Sequence, residues 1–149
     1  PPPSRIPYAL LPDTVQPDSI WLAMFHDAGR GPHRFTQPLP RPIAGSKHVY
    51  LKLRDRASYE FALASAAIVL TLAGGKVTRA RIALGGVGTK PWRSPEAEAA
   101  LVGKSADAVN FRKAAEASMR NAKPQSENRF KIELAKRCLA HALKMAATS

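Results

Sequence analysis

The chain has 149 residues, 45% of them hydrophobic and 23% charged, a mixture that suits one globular domain or one domain with a tail. No apolar run approaches the ~18 residues a membrane-spanning helix needs, and Cys138, the single cysteine, excludes an internal disulfide framework and every multi-cysteine zinc or iron–sulfur site. Twenty-three Lys and Arg against 11 Asp and Glu give a net charge of +12, which attracts phosphates, nucleic acid, anionic lipid or an acidic protein partner without choosing among them.

The N-terminal third is dominated by proline. Ten of the 13 prolines lie within residues 1–42. Proline lacks the donor N–H and fixes φ, so such a stretch sustains neither a helix nor a central strand. Ile20–Phe25 (IWLAMF) is its one apolar run. Residues 1–47 therefore read as an irregular arm. The start at Pro1-Pro2-Pro3, without Met or a signal pattern, reads as that of a fragment or trimmed product.

From His48 the texture changes. His48–Leu53 alternates, with Val49, Leu51 and Leu53 on one face and Tyr50 and Lys52 on the other, the pattern of a half-buried strand. Arg54-Asp55-Arg56 is a charged, exposed junction. Residues 62–73 are continuously apolar; β-branched Ile68, Val69 and Thr71 favour a strand over a helix. Gly74-Gly75 then supplies a two-residue hairpin turn, and Lys76–Leu84 alternates again, with Arg79 and Arg81 facing one way and Ala80, Ile82 and Leu84 the other. Gly85–Gly88 and Lys90-Pro91-Trp92 read as a loop.

Three helix signals follow. Ser94-Pro95 offers an N-cap with proline at the first helical position, Glu96 and Glu98 complement the dipole, and Gly103 closes the helix, which is predicted over 95–102. The second helix, 107–122, begins near Ser105 or Asp107 and places Phe111, Ala115, Met119 and Ala122 on one stripe. Pro124 separates it from the third, 127–146, capped by Ser126 or Asn128. That helix lines up Ile132, Ala135, Leu139, Ala142 and Leu143, widened by Phe130, Leu134 and Cys138. Arg112, Lys113, Arg120, Lys123, Lys131, Lys136 and Arg137 fall mostly on outer helix faces. Strands followed by helices argue for an α+β domain over 48–149, a three-stranded antiparallel sheet packed against three C-terminal helices.

No self-sufficient chemical site emerges from motifs. His26, His33, His48 and His141 include no i, i+4 pair, so no metal site is assigned. There is no G-x-S-x-G, and Cys138 lies on a buried helical face, where cysteine acts as a small hydrophobe; no catalytic residue is assigned. The glycine runs lack the G-x-G-x-x-G spacing of a dinucleotide site. Tyr50, Tyr59 and Trp92 stand among basic residues, but an RNA-binding sheet needs aromatics on adjacent central strands, and residues 76–84 contain none.

Larger blocks carry more. Residues 50–63 (YLKLRDRASYEFAL), 80–87 (ARIALGGV), 90–93 (KPWR) and 128–131 (NRFK) with the final helix resemble the C-terminal domain of the FAD-binding subunit of the xanthine dehydrogenase/aldehyde oxidoreductase family, shared with the carbon monoxide dehydrogenase flavoprotein. The resemblance spans residues 48–145 and implies a division of labour. A molybdopterin subunit hydroxylates the substrate, [2Fe-2S] centres on another subunit carry electrons, and FAD passes them to NAD, a quinone or ferredoxin. The family's glycine-rich FAD pyrophosphate loops belong to an N-terminal domain with which the flavin is shared. Residues 1–47 read as a possible remnant of its end. The resemblance assigns a flavin-contacting role to Lys52, stacking near the ring to Tyr50 and a backbone contact to Ile20. It implies partner subunits carrying the iron–sulfur and molybdopterin centres, and a cytoplasmic location, or a periplasmic one by co-export. No membrane partner is expected. Two other readings stand beside it: a small basic nucleic-acid-binding module, resting on charge, and a docking domain that holds subunits together.

Overall fold

The structure, a computed structural model, describes residues 43–56 and 59–148. The predicted arm and Ile20 lie outside the described residues, except for the short stretch 43–47. The chain divides after Ala44, and the unit Gly45–Ser149 contains all the secondary structure described.

Four strands form one antiparallel sheet in chain order: β1 (Ser46–Leu53), β2 (Ala64–Ala73), β3 (Lys76–Gly85) and β4 (Trp92–Arg93). Three helices follow: α1 (Pro95–Leu101), α2 (Ala108–Ser118) and α3 (Phe130–Thr148). The α+β class is as predicted, but the sheet has four strands where three were expected. Trp92 and Arg93 pair with Leu84 and Ala83. Two residues behind a proline carry no periodicity, so nothing in the sequence lifted them out of the loop.

The hairpin turns at Gly74 and Gly75, whose φ values of 56° and 74° are the left-handed values glycine tolerates. Strict alternation along β3 would turn Val77 toward the face of Arg79 and Arg81. It is instead fully buried in the core, because the register slips by one residue between Thr71 and Leu72. Thr78 is the extra residue of this bulge, and its hydroxyl donates to the Thr71 carbonyl at 3.1 Å.

One sheet face carries the core. Ala64, Ala66, Ile68 and Leu70 of β2 and Ala80, Ile82 and Leu84 of β3 pack with Leu101, Phe111, Ala115, Leu139, Ala142 and Leu143 of the helices. Val49, Leu51 and Leu53 of β1 are only half-buried against this layer. Phe130, expected to widen the face of α3, is 57% exposed; the helix begins at this residue, outside the stripe that α3 buries.

The helix ends follow local chemistry. Ser94 caps α1 by accepting from the Ala97 N–H, and Gly103 follows its end at φ 80°. Asp107 caps α2 by accepting from the Asn110 N–H. α2 stops at Ser118, four residues before the predicted end. The bonds of Met119, Arg120 and Ala122 to residues three back unwind it ahead of Pro124. α3 starts at Phe130, three residues later than predicted, because Asn128 turns its side chain back to the Gln125 N–H.

Lys131, expected on an outer helix face, ties the layers together. Its ammonium donates to the Gly86 carbonyl at 2.9 Å and the Leu63 carbonyl at 3.3 Å. Gly86 has φ 73°, and a Cβ there would lie 2.7 Å from the Ala62 carbonyl oxygen and 2.9 Å from that of Leu63. Both contacts are with backbone, which cannot move aside cheaply. Gly86→Ala is therefore expected to destabilise the domain by at least ~1–3 kcal/mol, the scale of a non-glycine residue held at positive φ. Chemical denaturation with an unchanged m-value and a lower midpoint checks this.

Candidate functional site

The sheet face turned away from the helices holds the candidate site. β1 contributes His48, Tyr50 and Lys52, β2 Ser65, Ala67, Val69 and Thr71, β3 Arg79, Arg81 and Ala83, and β4 Arg93. The register sets Lys52 opposite Ser65 and Ser65 opposite Gly85. It sets Tyr50 opposite Ala67, then Ala83, then Arg93. The middle of this face is therefore built from very small side chains. Ser65, Ala67 and Ala83 are buried, while Tyr50 is 57% exposed and Lys52 is exposed on the rim.

Lys52 and Tyr50, two of the three residues singled out from sequence, share this face. Ile20 lies outside the described residues. Lys52 has no hydrogen-bond or ion-pair partner among the described residues, so its ammonium keeps three donors for a ligand. Among the described residues the aromatic rings of this face, His48 and Tyr50, both lie on edge strand β1, so the stacking platform of an RNA-binding sheet on adjacent central strands is missing.

The basic end of the face is organised by a residue that the sequence assigned only to the α1 dipole. Glu98 is 6% exposed. Its Oε1 accepts from the Ile82 N–H at 3.0 Å, and its Oε2 accepts from Arg81 Nη1 at 3.1 Å. Arg93 reaches the same carboxylate from Nε at 3.4 Å and from Nη2 at 3.5 Å. One buried carboxylate thus holds two guanidiniums at this end of the face. The signal in the sequence was the adjacent pair Arg81-Ile82 and the Arg93…Glu98 spacing; neither is a motif, so only the tertiary structure brings them together. Arg81 Nε and Thr71 Oγ1, both on this face, are buried without a hydrogen-bond partner among the described residues.

No group of three or more His, Cys, Asp or Glu that could hold a metal occurs among the described residues. Cys138 is buried on α3, and desolvation pushes its thiol up to about 11. The nucleophilic thiolate is therefore scarce at neutral pH. Cys138 is expected to resist iodoacetamide at pH 7.5 in the folded protein and to react completely in denaturant, read by mass spectrometry.

The family model of the CO dehydrogenase flavoprotein C-terminal domain matches residues 49–146. The chain is 42% identical over 145 residues to the aldehyde oxidoreductase FAD-binding subunit PaoB of Escherichia coli (strain K12), an alignment covering 88% of this chain and 42% of that one. It is 35% identical over 95 residues to the carbon monoxide dehydrogenase medium chain of Afipia carboxidovorans, covering 64% of this chain and 33% of that one. Among solved structures it is similar to the carbon monoxide dehydrogenase of Hydrogenophaga pseudoflava, with TM-score 0.68 and 31% identity over 74% of this chain and 39% of that one. It is also similar to quinoline 2-oxidoreductase of Pseudomonas putida 86, with TM-score 0.66 and 29% identity over 72% of this chain and 39% of that one. The chain thus spans less than half the length of each of these relatives.

Removing the Glu98 charge tests the organisation of the basic end. Glu98→Gln keeps an acceptor for the Ile82 N–H but loses the charge-assisted bonds to both arginines. A loss of roughly 1.5–3 kcal/mol is expected, the scale of a hydrogen bond to a charged group, read as a lower thermal midpoint.

Proposed function

The chain belongs to the CO dehydrogenase flavoprotein C-terminal domain family, and from that premise we propose that it is the C-terminal part of the FAD-binding, electron-transfer subunit of a molybdenum-hydroxylase-type oxidoreductase of the aldehyde or xanthine dehydrogenase class. The observation that carries this reading is the family match over residues 49–146, on a sheet whose far face carries an ammonium without a partner among the described residues and an exposed phenol on the same strand. The relatives named as an FAD-binding subunit of aldehyde oxidoreductase and as a medium chain of carbon monoxide dehydrogenase support it. In this reading the partners are an iron–sulfur subunit and a molybdopterin subunit, and the complex works in the cytoplasm, or in the periplasm after co-export.

The described residues fit the flavin ring rather than the phosphates. A flat ring needs a floor of short side chains and a polar group at its edge, and Ser65, Ala67 and Ala83 beside Lys52 and Tyr50 have that chemistry. Phosphates are bound by glycine-rich loops at helix N-termini, for which the chain has no fingerprint. When bound, the flavin supplies electron transfer between the iron–sulfur centres and an external acceptor. The Lys52 ammonium donates at the ring edge and favours negative charge there. Tyr50 packs near the ring and excludes water from one side. The family resemblance assigns a backbone contact to Ile20, which lies outside the described residues.

Magnitudes limit what these contacts do alone. A charged hydrogen bond is worth about 1.5–3 kcal/mol and a stacked aromatic about 1 kcal/mol more, which together give a dissociation constant no tighter than about 1 mM. The 149-residue chain by itself is expected neither to retain FAD nor to catalyse an oxidation. In an FAD-loaded subunit that contains this chain, Lys52→Met is expected to weaken FAD retention about 10- to 100-fold and to lower the flavin midpoint potential. Lys52→Arg, which keeps the charge, should recover much of the potential. Unchanged affinity and potential in Lys52→Met would contradict the assignment.

A further inference from the structure

The unwound turn between α2 and α3 leaves a cavity. From Met119 to Pro124 the backbone departs from the helix path, and the space it encloses is filled only in part. The cavity has a volume of about 60 Å³. Its walls are Val87 of the loop after β3, Trp92 of β4, Met119 and Ala122 of the unwound turn, and Ile132 of α3. These walls are apolar. The one polar atom of the Trp92 ring is engaged, because Nε1 donates to the Ser118 carbonyl at 3.2 Å, and that bond holds the ring against the end of α2.

The polar side chains of the cavity are all donors. Lys123, Asn128 and Lys131 line it, and no Asp or Glu does. The Asn128 Oδ1 accepts from the Gln125 N–H at 2.8 Å, which leaves the side-chain amide to donate. Lys131 commits two of its three N–H donors to the carbonyls of Gly86 and Leu63, so one remains. Gly86 adjoins Val87, which places this ammonium beside the cavity wall. Lys123 has no hydrogen-bond or ion-pair partner among the described residues. The neighbouring acids do not compensate. Glu127 is exposed and outside the lining, and Glu133 is taken by Lys136 at 2.7 Å.

We propose that this cavity binds a small branched monocarboxylate, with its alkyl group against Trp92, Met119 and Ile132 and its carboxylate at Lys123 and Lys131. Size sets the tail. An apolar cavity of ~150 Å³ accepts benzene, so about 60 Å³ takes roughly three carbon atoms, the size of an isopropyl group. Charge sets the head. Two ammoniums and a side-chain amide without a free acceptor favour a carboxylate, which accepts from all three, over an alcohol, and they repel an amine. The apolar walls add contacts that an inorganic anion cannot use. Neither Lys52 nor Tyr50 lines the cavity, so this inference goes beyond the flavin assignment and does not depend on it.

The test titrates isobutyrate into the isotopically labelled full-length chain and follows the indole N–H of Trp92 by NMR. A saturable shift with a dissociation constant in the millimolar range is expected. Acetate, which lacks the two methyl groups, should bind about tenfold more weakly. Isobutylamine, and sodium chloride at the same ionic strength, should leave the resonance unmoved. Lys123→Met removes one charged donor from an exposed position and should weaken isobutyrate binding about tenfold. Ala122→Leu fills the cavity while keeping every donor and should abolish binding; if that variant does not fold, Lys123→Met and the ligand series decide. No saturable shift at high-millimolar isobutyrate, an equal response to isobutylamine or chloride, or unchanged affinity in Lys123→Met would overturn the proposal. FAD retention is read separately, so a failure here is distinct from a failure of the flavin assignment.

Discussion

The carboxylate of Glu98 stands where a strand would otherwise have to be. β4 is only two residues long, and beyond it the chain turns into α1, leaving the next N–H of β3 without a backbone partner. Glu98 reaches back from α1 to fill that place and at the same time draws Arg81 and Arg93 to itself. One side chain thus closes a sheet edge, docks a helix and fixes two guanidiniums on the far face. A carboxylate serving a backbone N–H and two cations is well satisfied, which offsets the cost of burying it.

The rest of the architecture follows from a sheet with two unlike faces. The helix-facing side takes the aliphatic residues of β2 and β3 and supplies the core. The far side takes the alternate residues, and these are small in the middle and polar or basic at the rim. The bulge at Thr78 keeps this division intact at the hairpin end by returning Val77 to the core. Lys131 and Gly86 hold the other end, where the backbone of the segment before β2 passes too close for a side chain. The far face consequently combines small, buried side chains in its middle with basic residues at its rim.

Much of this was legible in the sequence because it rests on periodicity and turn chemistry. The alternation of Val49, Leu51 and Leu53, the Gly74-Gly75 turn and the Ser94-Pro95 cap are local signals, and local physics decided those elements. What escaped had no local signature. β4 is too short to show a period, and Glu98 reads as an ordinary first-turn acid until Arg81 and Arg93 are brought to it. Lys131 reads as an outer-face cation until the carbonyls of Leu63 and Gly86 are placed against it. The end of α2 was overextended because apolar spacing continues through Met119 and Ala122 while Pro124 has already begun to unwind the backbone. The far face was half visible. Tyr50 and Lys52 came from the family resemblance, but the run of small residues at 65, 67, 83 and 85 could have been read as a face had the strand register been known.

The central claim is that the flavin ring lies against the far face at Tyr50 and Lys52. β1 carries its own control, because Lys47 and Lys52 fall on opposite faces of the same strand. In the FAD-loaded subunit, NMR of the lysine ε-methylene groups compares the two positions with and without flavin. A ring-current shift at Lys52, with Lys47 unmoved, is the predicted result. A shift at Lys47 alone, or none at either lysine, would contradict the account.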